Sequence, residues 1–264
     1  MRYLEKQGIN SYLIDWQEPT DSEMEFSIED YIKHYISKII DFIYQKEGRQ
    51  IILSGYCMGG VLSIAVAQLN PDKIKALALL ATPWNFHSSD FARIEMDDNS
   101  LAMAQKLIDN SSKIHSSTIQ SLFYYLHSDL VHARFDYLLE KLQSGQFDQS
   151  VALEYWLNDG ISMVRKVASE CFIGWVNNNK PFEKKWQVSG EVIDPSKINI
   201  PVFMAMAKND HIVPISCTKP LADLFENKTI IQPDTGHVAM IAGAKSEEEL
   251  WQPFLNWCNL INIT

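Results

Sequence analysis

Cysteine is scarce and scattered in this 264-residue chain. Cys57, Cys171, Cys217 and Cys258 stand far apart, with no C-x-x-C pair and no Cys/His spacing that suggests zinc. No metal is expected, and the thiols are expected to be reduced in a cytoplasm. The opening residues, MRYLEKQGIN, carry no apolar core of a secretory signal. No apolar run approaches membrane-spanning length. Internal repeats and low-complexity tracts are absent as well. Basic residues are in deficit: 23 Lys and Arg face 33 Asp and Glu, for a formal net charge of -10 and a pI near 5.2. Such a surface disfavours nucleic acid and anionic membranes as partners, although a local basic patch could still take an anionic substrate. With 46% hydrophobic and 21% charged residues, the chain suits one sizeable globular domain with an insertion.

The pattern along the chain points to an α/β protein. Residues 3–7 read as the end of a helix closed by Gly8, and Ser11–Trp16 as a buried strand. Ser27 reads as an N-cap with Asp30 at the capping-box position. Ile28, Tyr31, Ile32, Tyr35, Ile36, Ile39, Ile40 and Ile43 follow at helical spacing, and Gly48 ends that helix. Gln50–Leu53 and Ile74–Ala81 read as strands on either side of a helix from Val61 to Leu69. Strands alternating with helices imply a parallel sheet covered on both faces. Residues 88–180 then look helical and rich in Met, Tyr, Phe and Trp. The alternation resumes with a strand at Ile200–Ala207, a helix at Ser216–Phe225, a strand at Lys228–Ile231 and a terminal helix at Glu247–Ile261. Residues 1–87 and 181–264 are therefore expected to form the core. Residues 88–180 are expected to form a helical cap inserted above the sheet's C-terminal edge, over the Cys57 turn, with Trp156 among its apolar lining.

Gly55-Tyr56-Cys57-Met58-Gly59-Gly60 has the form G-x-C-x-G-G and sits between a strand and a helix. A cysteine among glycines is by default a small buried hydrophobe. A sharp strand-to-helix turn, however, holds one side chain in a strained, exposed position, where serine is usual and an ionised cysteine is a better nucleophile. An acid and a base are then needed at other strand ends. Asp210 follows one strand in Asp210-His211-Ile212-Val213-Pro214, and His237 follows the next in Thr235-Gly236-His237. The order nucleophile, acid, base is that of the α/β-hydrolase fold. Neutral His237 would take the thiol proton, Asp210 would fix its tautomer, and the backbone N–H of Met58 would donate to the oxyanion. Tyr56 and Trp84 join Trp156 as candidate pocket residues. His211 and Asp234 are rival base and acid, expected to be structural. His34, His87, His115, His127 and His132 are expected to be solvated or locally satisfied.

Taken together, these segments resemble the poly(3-hydroxyalkanoate) synthase family, a cysteine-dependent branch of the α/β-hydrolases. The resemblance is carried by Tyr3–Gly8 with Tyr12–Trp16, by Gly55–Gly60, by Leu80-Ala81-Thr82-Pro83-Trp84, by Tyr155-Trp156-Leu157-Asn158-Asp159-Gly160, by Asp210–Pro214 and by Gly236-His237. It implies an acyltransferase that moves a 3-hydroxyacyl group from coenzyme A to Cys57 as a thioester, from which the hydroxyl of another acyl unit takes it into a growing polyester. No cofactor is implied beyond the coenzyme A of the substrate. In the family the acid is thought to help activate that hydroxyl, a role that would fall to Asp210. The resemblance also implies an α/β-hydrolase fold lacking its first strands, because family members extend further at the N-terminus. Ser11–Trp16 would then lack its neighbour beside Gln50–Leu53. A misplaced start codon, another polypeptide that supplies the missing half, or a repacked sheet would each answer that gap, and a homo-oligomer or a complementing N-terminal fragment is the partner expected. A thioesterase or polyester hydrolase, and a non-catalytic fragment, are the competing readings.

Overall fold

The computed structural model describes residues 2–92, 97–126, 136, 139–140, 143 and 147–261. The chain divides into two compact units, one of Met1–Ile14, Ile28–Phe91 and Gly174–Thr264, the other of Asp15–Ser27 and Ala92–Ile173.

The first unit is built on a parallel sheet. β1 (Ile51–Tyr56) is joined through the helix α4 (Met58–Leu69) to β2 (Ile74–Leu80). After the short pairs β3 (Lys113–Ile114) with β4 (Met163–Val164), and β5 (Gln187–Val188) with β6 (Glu191–Val192), the sheet is completed by β7 (Val202–Ala205) and β8 (Lys228–Ile231). The order is β1-β2-β7-β8, and every ladder within it is parallel. β2 is apolar on both faces because both are covered. Ala76, Ala78 and Leu80 meet Phe203, Phe254, Trp257 and Met240, while Leu77 and Leu79 point the other way and are just as buried. On α4 every residue from Gly60 to Ala67 is buried.

The helical stretch before β1 is continuous from Ile28 to Glu47, but it passes through a wider π-type turn at Ile32–Ile36. Its buried residues explain why. Ile28, Ile32, Ile36 and Ile40 recur every four positions, a row that drifts about 40° per step on a regular helix. One wider turn brings the row back to a single face. Gly48 closes the stretch at φ 65, the left-handed conformation its position requires.

The expected strand at Ser11–Trp16 does not form. Residues 9–17 have no regular structure, and Leu13 is 78% exposed. The run does not add to the open edge of β1, which pairs only with β2 among the described residues. Tyr12 is held by side chains instead: its hydroxyl donates to Glu47 Oε1 at 2.6 Å, and Lys46 lies over its ring.

The second unit is largely helical. It contains helices Asp98–Asp109, Ser116–Leu126, Phe147–Asn158 and Arg165–Ser169 beside the β3–β4 pair. The first of these is capped by Asp97, whose carboxylate accepts from the Ser100 N–H at 2.8 Å. Ion pairs tie the 15–27 segment to this unit: Glu18 to Lys113 at 2.6 Å, and Glu25 to Arg165. Among the described residues no helix is long and apolar enough to cross a membrane.

Candidate active site

Cys57 occupies the single residue between β1 and α4, at φ 54 and ψ -124. Few side-chain-bearing residues adopt that backbone, and it persists only where the surroundings fix it. Here the Cys57 N–H donates to the Leu80 carbonyl at 2.8 Å, and the Cys57 carbonyl accepts from Gly60 at 2.9 Å. Gly55 allows α4 to lie this close to β1. A Cβ at that position would come within 2.4 Å of the Gly59 carbonyl oxygen. Cys57 alone among the four cysteines is not fully buried.

The loops after β7 and β8 run side by side beyond the strands. Lys208 donates to the Pro233 carbonyl and Asn209 to that of Thr235, while the Asn209 amide reaches Asp234 Oδ1 at 3.1 Å. This zipper carries Asp210 and His237 together: His237 Nδ1 lies 2.6 Å from Asp210 Oδ2. The other Asp210 oxygen accepts from the N–H groups of Ile212 at 2.9 Å and Val213 at 2.7 Å. With its side chain fully buried, Asp210 thus has both oxygens engaged.

The Cys57 thiol also acts on the His237 ring. Burial by itself would push the imidazole down. The hydrogen bond to Asp210 and the Cys57 thiol, with the charges of both, outweigh it and raise His237 to about 10. The ring is therefore a much stronger base than a free imidazole. Tyr56 packs against it with ring centroids 4.9 Å apart, and its hydroxyl donates to the His237 carbonyl at 3.3 Å. Burial, then the nearby Cys57 and Asp210, push the Tyr56 phenol up, so it stays neutral. The three remaining cysteines are raised by burial as well, Cys217 and Cys258 to about 12.

The structure thus brings Cys57, Tyr56, Asp210 and His237 together, and Met58 is the first residue of α4. Trp84 is 1% exposed and belongs to the interior of the first unit. Trp156 lies in the second unit, 56% exposed. Of the rivals, Asp234 is a turn residue whose N–H donates to Glu249, and His211 is exposed. His87 bonds the Asn177 carbonyl at 2.8 Å, and His34 pairs with Asp30 at 3.8 Å. His127 and His132 lie outside the described residues. Among those residues no group of three or more His, Cys, Asp or Glu could hold a metal ion.

One supporting residue escaped the sequence reading. Asn179, buried and left-handed at φ 51, accepts from the Phe86 N–H at 2.9 Å and donates to Asn85 Oδ1 at 2.8 Å. It fixes the loop that leaves β2. The signal was available in Asn177-Asn178-Asn179 before Lys180-Pro181, since asparagine tolerates this backbone in turns.

A cysteine at the first strand's end, with an aspartate and a histidine after later strands, follows the residue order of the α/β-hydrolase fold. A family model described as alpha/beta hydrolase fold matches residues 1–244, and the chain belongs to that family. Among curated proteins it is similar to the poly(3-hydroxyalkanoate) polymerase subunit PhaC of Haloferax mediterranei, at 26% identity over 96% of this chain and 52% of that one. The same subunit of Haloarcula marismortui is 24% identical over 97% of this chain and 55% of its own length. The chain thus spans about half the length of these two relatives. Among solved structures, a monoacylglycerol lipase from Paleococcus ferrophilus aligns with TM-score 0.55 and 18% identity, covering 90% of this chain and 77% of the lipase. An α/β-fold hydrolase from Bacillus anthracis aligns at 0.50 and 14%, covering 90% and 75%. These two likenesses concern the fold.

Proposed function

We propose that this chain carries the acyl-transfer site of a polyhydroxyalkanoate polymerase, with Cys57 as nucleophile, His237 as base and Asp210 as its orienting acid. The observation that carries the reading is the imidazole of His237 bonded to Asp210 and packed on the ring of Tyr56, the residue before Cys57. Similarity to the PhaC relatives along nearly the whole chain supports the choice of substrate.

In the first step the Cys57 sulfur attacks the thioester carbonyl of a 3-hydroxyacyl-CoA, and His237 holds the thiol proton. The oxyanion forms near the Met58 N–H, at the positive end of α4. The bond to the coenzyme A sulfur breaks, and that thiolate takes the proton from His237. In the second step His237 removes the proton from the hydroxyl of another acyl unit. That oxygen attacks the Cys57 thioester, an ester forms, and the thiol of Cys57 is regenerated with the proton from His237. No cofactor enters either step. Because both Asp210 oxygens are engaged, the orienting role is favoured over direct contact between Asp210 and the hydroxyl.

A partner is part of the proposal. β1 has a neighbour on one side only among the described residues, and that outer edge suits one more extended strand, supplied by polypeptide outside these 264 residues. The relatives' unmatched length supports this choice.

The test is incubation of the purified chain with 3-hydroxybutyryl-CoA, following coenzyme A release and polymer separately. Release with polymer is expected, with no acyl-enzyme in Cys57→Ala. Release without polymer would replace transfer by hydrolysis. Acylation undiminished in Cys57→Ala would end the reading altogether.

A further inference from the structure

The motif G-x-C-x-G-G draws attention to Gly59, the glycine two places after the nucleophile. Sterically it is the wrong one. A Cβ on Gly59 would meet nothing within 4 Å. A Cβ on Gly60 would lie 1.9 Å from Thr82 Oγ1 and 2.7 Å from both Thr82 Cβ and Cγ2. Gly60 also sits against β1, since a Cβ on Gly55 would come within 2.5 Å of the Gly60 Cα. Gly55, Gly60 and Thr82 therefore form a stack, from strand through helix to the loop after β2, with no space for a methyl group at either glycine.

Thr82 is fixed within that stack. It is 0% exposed, and its carbonyl accepts from the Thr218 hydroxyl at 2.9 Å. Ala81 before it is locked at φ 47, with its N–H on the Ala205 carbonyl at 2.9 Å. Yet among the described residues the Thr82 hydroxyl has no hydrogen-bond partner. What the residue contributes is its shape, pressed on the first turn of α4 three residues beyond Cys57.

We infer that Thr82 is a positioning residue: its side chain, seated on Gly60, sets the pitch of α4 at its N-terminus and thereby the place of the Cys57 sulfur beside His237. The inference rests on Cys57 being the nucleophile. A displacement of about 1 Å at a reacting atom can cost on the order of 10²-fold in rate.

The test measures the rate of Cys57 alkylation by iodoacetamide in the full chain as a function of pH, with thermal midpoints recorded alongside. Gly60→Ala should label at least about tenfold more slowly than the parent, with an altered pH profile, whereas Gly59→Ala should match the parent. Thr82→Val keeps the shape and loses only an unpaired hydroxyl, so it should keep the parent's rate and profile without a lower midpoint. Thr82→Gly, which removes all three crowding atoms, should slow labelling. Combined with Gly60→Ala it should label no more slowly than the slower single variant. Parent-like labelling in Gly60→Ala, a midpoint change without a change of pH profile, or additive losses in the double variant would each overturn the inference. Should Gly60→Ala fail to fold, Thr82→Val against Thr82→Gly decides alone, and equal labelling of those two overturns it. If Cys57 in the parent labels no faster than the buried cysteines, it is the proposed function that fails instead.

Discussion

The central and outer strands of the sheet carry different loads. β2 and β7 are buried nearly throughout, with Leu77, Leu79, Phe203 and Met204 at 1% exposure or less. β1 is only partly buried, and β8 exposes Lys228, Thr229 and Ile230. The side chains of the proposed site nevertheless follow largely from the outer pair: Cys57 comes after β1 and His237 after β8, while only Asp210 follows a central strand. Each outer group is braced inward, Cys57 by the Leu80 carbonyl and His237 by the carboxylate of Asp210. The central strands are the buried ones, and the outer ones carry two of the three side chains of the proposed site.

The sharpest way to break this comparison is at the central brace. Asp210→Asn keeps an oxygen for the Ile212 and Val213 N–H groups, so the fold should hold. It removes the charge that fixes the His237 tautomer, and acyl-enzyme formation should fall by about 10⁴-fold. A loss below tenfold in stopped-flow acylation would show that the inward brace is dispensable.

Stability should divide along the same line. Phe203→Ala in β7 empties a site packed by Phe254 and Trp257 and should cost about 3–5 kcal/mol. Ile230→Ala in β8, at 39% exposure, should cost less than about 1 kcal/mol. Urea unfolding of both variants measures the difference, and equal costs would erase the distinction between strands.

Reactivity sharpens the contrast further. Cys217 and Cys258, held near 12, and Cys171, also raised by burial, should resist iodoacetamide at neutral pH. Cys57, partly exposed beside a basic imidazole, should label at least about tenfold faster. Peptide mapping after brief native labelling checks this, and uniform labelling of all four would contradict it.

The outer brace also carries a pH dependence. His237 is raised from 6.5 to about 10 on folding. Its protonated form therefore adds stability that is complete below about pH 6.5 and disappears as pH rises through about 10. The thermal midpoints of the parent and of His237→Gln should converge over that window. A gap that stays constant, or widens, would mean that the imidazole is not held as its contacts indicate.

Much of this was legible in the residues. The run IKALALLA reads as a buried strand and forms one over Ile74–Leu80, and Lys228–Ile231 begins and ends where its composition placed it. The Ile28–Ile43 stripe gave the helix but not its π-type turn, because a four-residue repeat and a regular helix differ by only a small rotation per step. The hairpin of β5 and β6 went unread, although Ser189 and Gly190, both at positive φ, form the kind of tight turn that serine and glycine signal. The helix His237–Ala242, which opens on the base itself, was missed for its shortness.

What the sequence by itself determined was the set of local choices: alternating strands and helices, a cysteine at a strand-to-helix turn, and an acid and a histidine after later strands. Those follow from backbone propensity and apolar period, which act over a few residues at a time. What only the tertiary structure decided was pairing. Tyr12-Leu13-Ile14 and Ile51-Ile52-Leu53 are both largely apolar, yet only the second became a strand, paired with β2. Tyr56 against His237, both oxygens of Asp210 in use, and Thr82 seated on Gly60 are of the same kind. Each depends on atoms brought together from distant parts of the chain, and a buried backbone or side chain is satisfied by whatever the fold places next to it.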